Sequence, residues 1–372
     1  MSAALTRAIL QELAGNGGRL SFARYMELAL YAPGLGYYMA GARKLGRDGD
    51  FVTAPEISPL FGRTLARQFA PLLADGLEEM LEIGAGSGAL AADLLLELAR
   101  LGRLPQRYLI LELSADLRSR SRDTLAARAP QHLERVAWLN GLPPAFTGIV
   151  FGNEVLDAMP VHRVVRRGGE TLEGFVQHDA AHDRFLDLEW PATDDVLRAA
   201  EELSLPGDDY RTELPLHARA FIRSVGESLA RGAAFFFDYG FPRREFYHPQ
   251  RSRGTLMCHY RHRAHGDPYF LPGLQDITSH IDFSAIAQAG REAGMDLLGY
   301  TNQAQFLLNC GLTELLSAVP PEDVKAYAPL AAQAQKLVSP AEMGELFKVI
   351  ALGKGIESTL LGFERGDKSG SL

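Results

Sequence analysis

Met80-Leu-Glu-Ile-Gly-Ala-Gly-Ser-Gly88 reads as a short buried strand that runs into a glycine turn and then into a helix from Ala89 to Arg100. Gly84, Gly86 and Gly88 alternate where the backbone must turn tightly, approach a ligand and let the next helix pack close to the strand. The spacing is not the Gly-x-Gly-x-x-Gly of a dinucleotide fingerprint, which seats a pyrophosphate on the helix N-terminus. An acid, Glu82, also stands two residues before the first glycine. A carboxylate there disfavours phosphates and favours a cation. The next apolar run, Arg107-Tyr-Leu-Ile-Leu-Glu-Leu113, ends in Glu112, on the order of 24 residues past the last glycine and near the spacing at which an acid meets ribose hydroxyls. Glu112 is therefore the ribose candidate, a solvated acid at a strand end being the alternative.

Outward from that turn the chain alternates helices and strands. Ser114 is placed to cap a helix from Ala115 to Ala129, and Val136-Ala-Trp-Leu139 is a third strand. Trp138 and Leu139 at its end would either flank an aromatic base beside the turn or fill the core. The fourth strand, Gly148-Ile-Val-Phe-Gly152, delivers Asn153-Glu-Val-Leu-Asp-Ala-Met-Pro160 to the carboxyl end of the sheet, where open α/β folds hold their ligands. Glu154 and Asp157 share one face if a helical turn begins there. Together they could clamp a guanidinium by charge-assisted, bidentate hydrogen bonds, or one could be a general base. A plain helix start capped by Asn153 is the competing account. A fifth strand over Gly232 to Gly240, a sixth over Asp296 to Thr301 and a closing edge strand over Phe347 to Leu352 complete a doubly wound, mainly parallel seven-stranded α/β sheet.

The organisation expected is a helical and loop cap over residues 1–75, a core over 76–160 and 215–355, a β-rich insertion over 161–214 and a loose tail over 356–372. The cap carries Tyr31-Ala-Pro-Gly-Leu-Gly-Tyr-Tyr38 and a long Gly- and Pro-rich stretch from Gly46 to Gly62. Such a loop is read as folding over the ligand turn, with Asp50, Thr53 and Glu56 as contacts, or as a surface loop packed around Phe51 and Phe61. Ser284 is read as the cap of a helix from Ala285 to Ala293. Inside the core, an insertion over about 241–283 is basic, aromatic and rich in His, which suits inter-subdomain pairing, a lid or the docking of an acidic protein surface. Its Asp276, Thr278, His280 and Asp282 alternate, but one His and two acids on a strand suit a hydrogen-bonded structural loop better than a metal site, and no metal is assigned.

Composition bounds the rest. Hydrophobic content of 47% and charged content of 23% are globular values, and 372 residues suffice for one large domain with insertions. A net charge of −8 argues against general nucleic-acid binding, which needs a basic excess to neutralise phosphates. Cys258 and Cys310 lack metal-ligand spacing and make no disulfide framework. No apolar run has membrane length, and the N-terminus has neither a signal-peptide core nor the character of a transit peptide, so the expected location is a bacterial cytoplasm. The oligomeric state is not legible.

Several motifs in order are similar to those of one family. Tyr31-Ala-Pro-Gly-Leu-Gly-Tyr-Tyr38, Gly49-Asp-Phe-x-Thr-x-Pro-Glu56 with Phe61-Gly62, Glu82-x-Gly-x-Gly-x-Gly88, Asn153-Glu-x-x-Asp-Ala-x-Pro-Val-His162, Asp238-Tyr-Gly240, Gly254-Thr-Leu and Asp276-Ile-Thr-x-His-x-Asp-Phe283 resemble the MidA-type methyltransferases. These are bacterial and mitochondrial proteins related to the complex I assembly-factor arginine methyltransferase. Ala54 departs from the Ser expected in the Thr-x-Pro stretch. The resemblance, from about residue 20 to about residue 355, implies a Rossmann-like fold, S-adenosylmethionine (SAM) as cofactor and a protein arginine as acceptor. On that reading Glu82, Gly84, Gly86 and Gly88 hold the methionine end, Glu112 the ribose, Thr53 and Leu139 add contacts, and Asn153, Glu154 and Asp157 form the catalytic group. A SAM-binding assembly chaperone without turnover is one alternative. A nucleotide-dependent oxidoreductase is the other, disfavoured by the glycine spacing and Glu82.

Overall fold

The computed structural model describes residues 2–41 and 52–372. Its main sheet runs, in chain order, through β1 (Glu79–Ile83), β2 (Arg107–Leu111), β3 (Val136–Leu139), β4 (Phe146–Asn153), β5 (Leu229–Phe241), β6 (Asp296–Asn302) and β7 (Phe347–Lys354). Across the sheet the order is β3-β2-β1-β4-β5-β7-β6, and the two-residue strand Ile281–Asp282 adds to the end of β5. The first four pairings are parallel, whereas β7 is antiparallel to both of its neighbours. The reversal of order between β1 and β4 opens a crevice at the carboxyl ends of these strands, where doubly wound sheets bind ligands.

The strands are apolar on both faces because helices cover both. Met80, Tyr108, Phe151 and Phe235 pack on one side with Phe61, Leu65 and Phe69 of the helix Pro59–Ala74 and with the helix Ala89–Arg100. The alternate residues Leu81, Leu109, Val150 and Phe236 face the helices Leu216–Ser228 and Phe283–Glu292.

Two expectations about the ends of the chain change. The run at Phe347 is not the closing edge: β7 lies between β5 and β6 and is buried along nearly its whole length. Its unbroken apolar character suits an interior strand, so β6 takes the edge. The residues after Phe363, expected to be loose, cover that edge: Tyr300 N–H donates to Asp367 Oδ1 at 3.0 Å, Lys368 N–H to Tyr300 O at 2.6 Å, and Thr301 Oγ1 to the carbonyl of Gly366 at 2.8 Å. Phe363 lies over Gly299, where a Cβ would stand 2.3 Å from the ring.

The cap also divides differently. The helix Pro59–Ala74 belongs to the main core, while the helices Ser2–Gly15 and Phe22–Tyr31 share a separate apolar core with the β-rich insertion, through Val161, Val176 and Phe185, and with Cys258 and Ile277 of the later insertion. Leu20–Ser21 even adds a strand to the insertion's sheet. That sheet holds His162–Arg167, Glu170–Asp179, Arg184–Pro191 and Tyr210–Leu214, with Gly168 and Gly169 in the left-handed conformation at the hairpin turn. The second insertion forms a small sheet of Met257–Tyr260, Arg263–His265 and Asp276–Thr278. The helix at 283 is capped by Asp282, whose Oδ1 accepts from Ala285 N–H at 3.1 Å, and not by Ser284, whose hydroxyl accepts from Arg243 N–H at 2.9 Å.

Burial of the Phe363 side chain is worth about 1.5–3 kcal/mol, and the tail also shields a strand edge that would otherwise invite pairing. A chain ending at Leu360 is expected to melt at lower temperature and to self-associate on warming, followed by circular dichroism and light scattering. An unchanged melt would show that the tail only rests on the sheet.

Candidate active site

The crevice deepens into a cavity of about 660 Å³. Strand ends supply one part of its wall. Glu82 stands one residue before the end of β1 and is 2% exposed, and its Oε2 accepts from the Tyr108 hydroxyl at 2.7 Å. The turn that follows stays tight because Gly84 and Gly86 both have positive φ; at Gly84 a Cβ would press within 3.1 Å of Val155 Cγ2. Glu112, after β2, accepts from Gly86 N–H at 3.2 Å and from Ser114 N–H at 3.0 Å, which locks its carboxylate beside the glycine turn. Gly88 serves a different purpose: it is off the cavity wall, and its missing side chain lets Ser121 of the helix Ala115–Arg128 approach, since a Cβ would lie 2.8 Å from Ser121 Cα.

Asn153, at the end of β4, and Glu154 and Asp157 beyond it all reach the wall, but no helix starts there. Glu154 instead adopts a left-handed φ of 52°, uncommon for a residue with a side chain and costing roughly 1–2 kcal/mol. Its carboxylate is held on three sides, by Asn153 Nδ2 at 3.0 Å, the Tyr239 hydroxyl at 2.9 Å and the Ala54 backbone N–H. Asp238 at the end of β5 organises the turn beyond: its Oδ2 accepts from the N–H groups of Val155, Leu156 and Asp157 at 3.2, 2.8 and 3.2 Å. This carboxylate takes the place of the helix start capped by Asn153 that was the competing account.

Of the loop contacts, Thr53 and Glu56 line the cavity, and Glu56 is hydrogen-bonded to the Ser87 hydroxyl in the glycine turn. Asp50 and Phe51 lie outside the described residues. Leu139 and Trp138 are not on the wall. The Leu139 carbonyl accepts from Arg118 and the Trp138 indole donates to Ser121, while Leu142 lines the cavity instead. The chain leaving β3 reaches the wall one short loop later, at Leu142.

Sequence reasoning also missed wall residues from distant segments. Tyr31 and Tyr38 stack at 5.5 Å between centroids; the Tyr31 hydroxyl donates to the Ala158 carbonyl at 3.0 Å, and that of Tyr38 to Asp276 Oδ1 at 2.9 Å. Asp276 and His280 do not converge as metal ligands: Asp276 is on the cavity wall, whereas His280 stacks against Tyr239 outside it. The position of Asp238 and Tyr239 at a strand's carboxyl end was the available signal for that pair. For the tyrosines there was only their aromatic loop.

Among the described residues, the wall carries seven carboxylates, from Glu27, Glu56, Glu82, Glu112, Glu154, Asp157 and Asp276, and no Lys or Arg. Burial pushes Glu82 and Glu154 up to about 8, the hydroxyls of Tyr108 and Tyr239 offsetting only part of it. Asp238 rises to about 7 from burial, against its backbone donors, and Asp157 is held well above the usual range by burial and by the neighbouring Asp238, Glu154 and Asp276. The site thus repels anions and is stabilised by a cation. That suits the sulfonium and ammonium of SAM and not the pyrophosphate of a dinucleotide. A buried acceptor without a partner, Asn153 Oδ1, adds to this fit.

Comparison with known proteins agrees with that geometry. The family model of S-adenosyl-L-methionine-dependent methyltransferases matches residues 62–301. A protein of Burkholderia thailandensis solved with bound S-adenosyl-homocysteine is 52% identical and superposes with a TM-score of 0.96, covering 100% of this chain and 97% of its own. Among curated proteins, the mitochondrial protein arginine methyltransferase NDUFAF7 of Mus musculus is 29% identical over 90% of this chain and 81% of its own length. The Danio rerio protein of that name is 26% identical over 94% and 88%. Among the described residues no helix is long and apolar enough to cross a membrane.

Glu154 ionises near 8 in the fold against 4.5 ordinarily, so the folded chain holds this proton more tightly than the unfolded chain. The stability this gives is complete below 4.5 and is lost as pH rises through 8. Glu154→Gln, which cannot ionise, is therefore expected to raise the melting temperature more at about pH 8.5 than at about pH 5. Equal shifts at both pH values would contradict the buried-carboxylate assignment. The glycine turn, the acidic wall and the matches together place the chain in the MidA-type family of SAM-dependent methyltransferases.

Proposed function

We propose that the protein transfers a methyl group from SAM to an arginine side chain of a protein partner. The observation that carries this reading is the wall of seven carboxylates without a Lys or Arg among the described residues. SAM brings two positive groups, which Glu82, Glu112 and the glycine turn can balance. Glu154, Asp157 and Asp276 are then left facing the far part of the cavity, and a guanidinium is the cationic side chain best matched to several carboxylates. The names of the mammalian and fish relatives point to the same acceptor class.

SAM supplies an electrophilic methyl whose departing sulfur keeps the electron pair as a neutral thioether. The chain supplies position and a proton sink. Glu82 and the turn at Gly84 and Gly86 fix one end of the cofactor site, and Glu112 meets the ribose. Glu154 and Asp157 hold the guanidinium so that one nitrogen lies in line, an alignment worth about 7–11 kcal/mol over random encounter. As the new N–C bond forms and the C–S bond breaks, that nitrogen must shed a proton. Glu154, poised near neutrality, accepts it. The strained backbone at Glu154 keeps its carboxylate aimed at this spot.

Glu154→Gln is expected to lower turnover by about 10²-fold or more while leaving SAM affinity within about threefold. The acceptor class itself is tested by mass spectrometry of proteins from cells with and without the gene. Methylarginine that disappears on deletion and returns with the wild-type chain, but not with Glu154→Gln, supports the reading. Methyl groups lost only from lysine, from termini or from small molecules would refute it.

A further inference from the structure

The cavity wall has two sources. Glu82, Glu112 and the glycine turn come from the sheet, as in any doubly wound fold, whereas Tyr31, Tyr38 and Asp276 come from the N-terminal helical segment and the small inserted sheet. These two added segments share one apolar core, through Tyr25, Met26, Cys258 and Ile277, so they form one packed unit that presents side chains to the cavity together. They are stitched to the Glu154 turn at two points. The Tyr31 hydroxyl binds the Ala158 carbonyl at 3.0 Å, and Ser279 N–H donates to the Asp157 carbonyl at 3.0 Å.

Asp276 is placed deliberately within this unit. It is only 2% exposed overall yet borders the cavity, and its Oδ1 takes the Tyr38 hydroxyl at 2.9 Å and the Ile277 N–H at 3.0 Å. Those two donors fix the orientation of the carboxylate. Tyr38 in turn is stacked on Tyr31, with ring planes 21° apart, so a flat aromatic surface stands beside the acid. A planar cation is the group that a carboxylate edge and an aromatic face recognise together, the first by in-plane hydrogen bonds and the second by cation–π contact.

We propose that Asp276, oriented by Tyr38 and flanked by the Tyr31–Tyr38 stack, determines specificity for a guanidinium acceptor over a neutral group of the same shape. This rests on the arginine reading of the far part of the cavity and names the residues that select it. Asp157 lies on the opposite side of the stitched seam and feels the Asp276 charge, so the two carboxylates bracket one cation. Glu82 and Glu112 serve the cofactor, and the inserted unit joins Glu154 and Asp157 in serving the acceptor.

Butylguanidinium and its neutral isostere butylurea separate the possibilities, titrated calorimetrically into the full chain saturated with S-adenosyl-homocysteine. The wild type is expected to bind butylguanidinium at least about tenfold more tightly than butylurea, about 1.4 kcal/mol. Asp276→Asn keeps an acceptor for Tyr38 and Ile277 and is expected to erase most of that preference, with S-adenosyl-homocysteine affinity within about twofold of wild type. Tyr38→Phe, which removes one donor to the Asp276 carboxylate and leaves the Ile277 N–H in place, is expected to give a partial loss. Full preference retained in Asp276→Asn would overturn the assignment of Asp276 while leaving the arginine reading standing. A wild type that does not distinguish the two probes would overturn both.

Discussion

The carboxylate of Asp238 is the constraint on which the site depends. It accepts three consecutive backbone N–H groups from Val155, Leu156 and Asp157 and a fourth from Tyr239 through its other oxygen. Without it those donors would be buried in a turn that forms no helix, at a cost of roughly 1–3 kcal/mol each. With it, the chain leaving β4 is bound to the end of β5, and Glu154 can be held at positive φ with its side chain toward the cavity. The partner strand thus sets the shape of the active turn.

The same bond concentrates negative charge. Asp238, Glu154, Asp157 and Asp276 are all buried or nearly so; Asp238 raises the proton affinity of Glu154, and Asp238, Glu154 and Asp276 together raise that of Asp157. A fold optimised for stability alone would avoid such crowding, because each ionisation at neutral pH works against the folded state. Its retention in one cavity makes sense if a cationic guest relieves it. Burial and mutual repulsion favour the protonated form of these carboxyls, and a bound cation would favour the ionised form.

How much of this could be read from residues alone follows from the range of the interactions. The glycine turn, Glu82 and Glu112 are local, within one strand–turn–helix unit and its neighbour, and hydrophobic periodicity placed them correctly. Glu154 and Asp157 were located because a strand end marks the crevice, but the non-helical shape of their turn was not, since the acceptor that shapes it is Asp238, more than eighty residues away. Leu139 was misplaced because strand length does not say where the following loop re-enters the site, and Leu142 does so. The antiparallel insertion of β7 between β5 and β6 depends on pairing that no local pattern encodes; only its unbroken burial distinguishes it from an edge. The tail was misjudged for a related reason. Its polar composition suggested looseness, yet one aromatic, Phe363, and a few backbone bonds suffice to seat it on an edge strand made smooth by Gly299.

The division of labour between sheet and added segments explains why the cofactor is easier to assign than the acceptor. A cofactor site built on strand ends uses positions that the doubly wound topology provides to every member, so a glycine turn and two acids are enough to identify it. The part of the wall proposed for the acceptor includes residues 31, 38 and 276, which meet because the N-terminal helices, the β-rich insertion and the small sheet share one core. Changes in that core would shift the tyrosines and Asp276 relative to Glu154 without touching the cofactor. Relatives at 26–29% identity can therefore keep the chemistry while the surface around the acceptor diverges, whereas a neighbour at 52% identity that superposes along its whole length is expected to keep both. On the proposed reading, selectivity depends on how the inserted unit is docked, and the hydrogen bonds from Tyr31 to Ala158 and from Ser279 to Asp157 hold that docking.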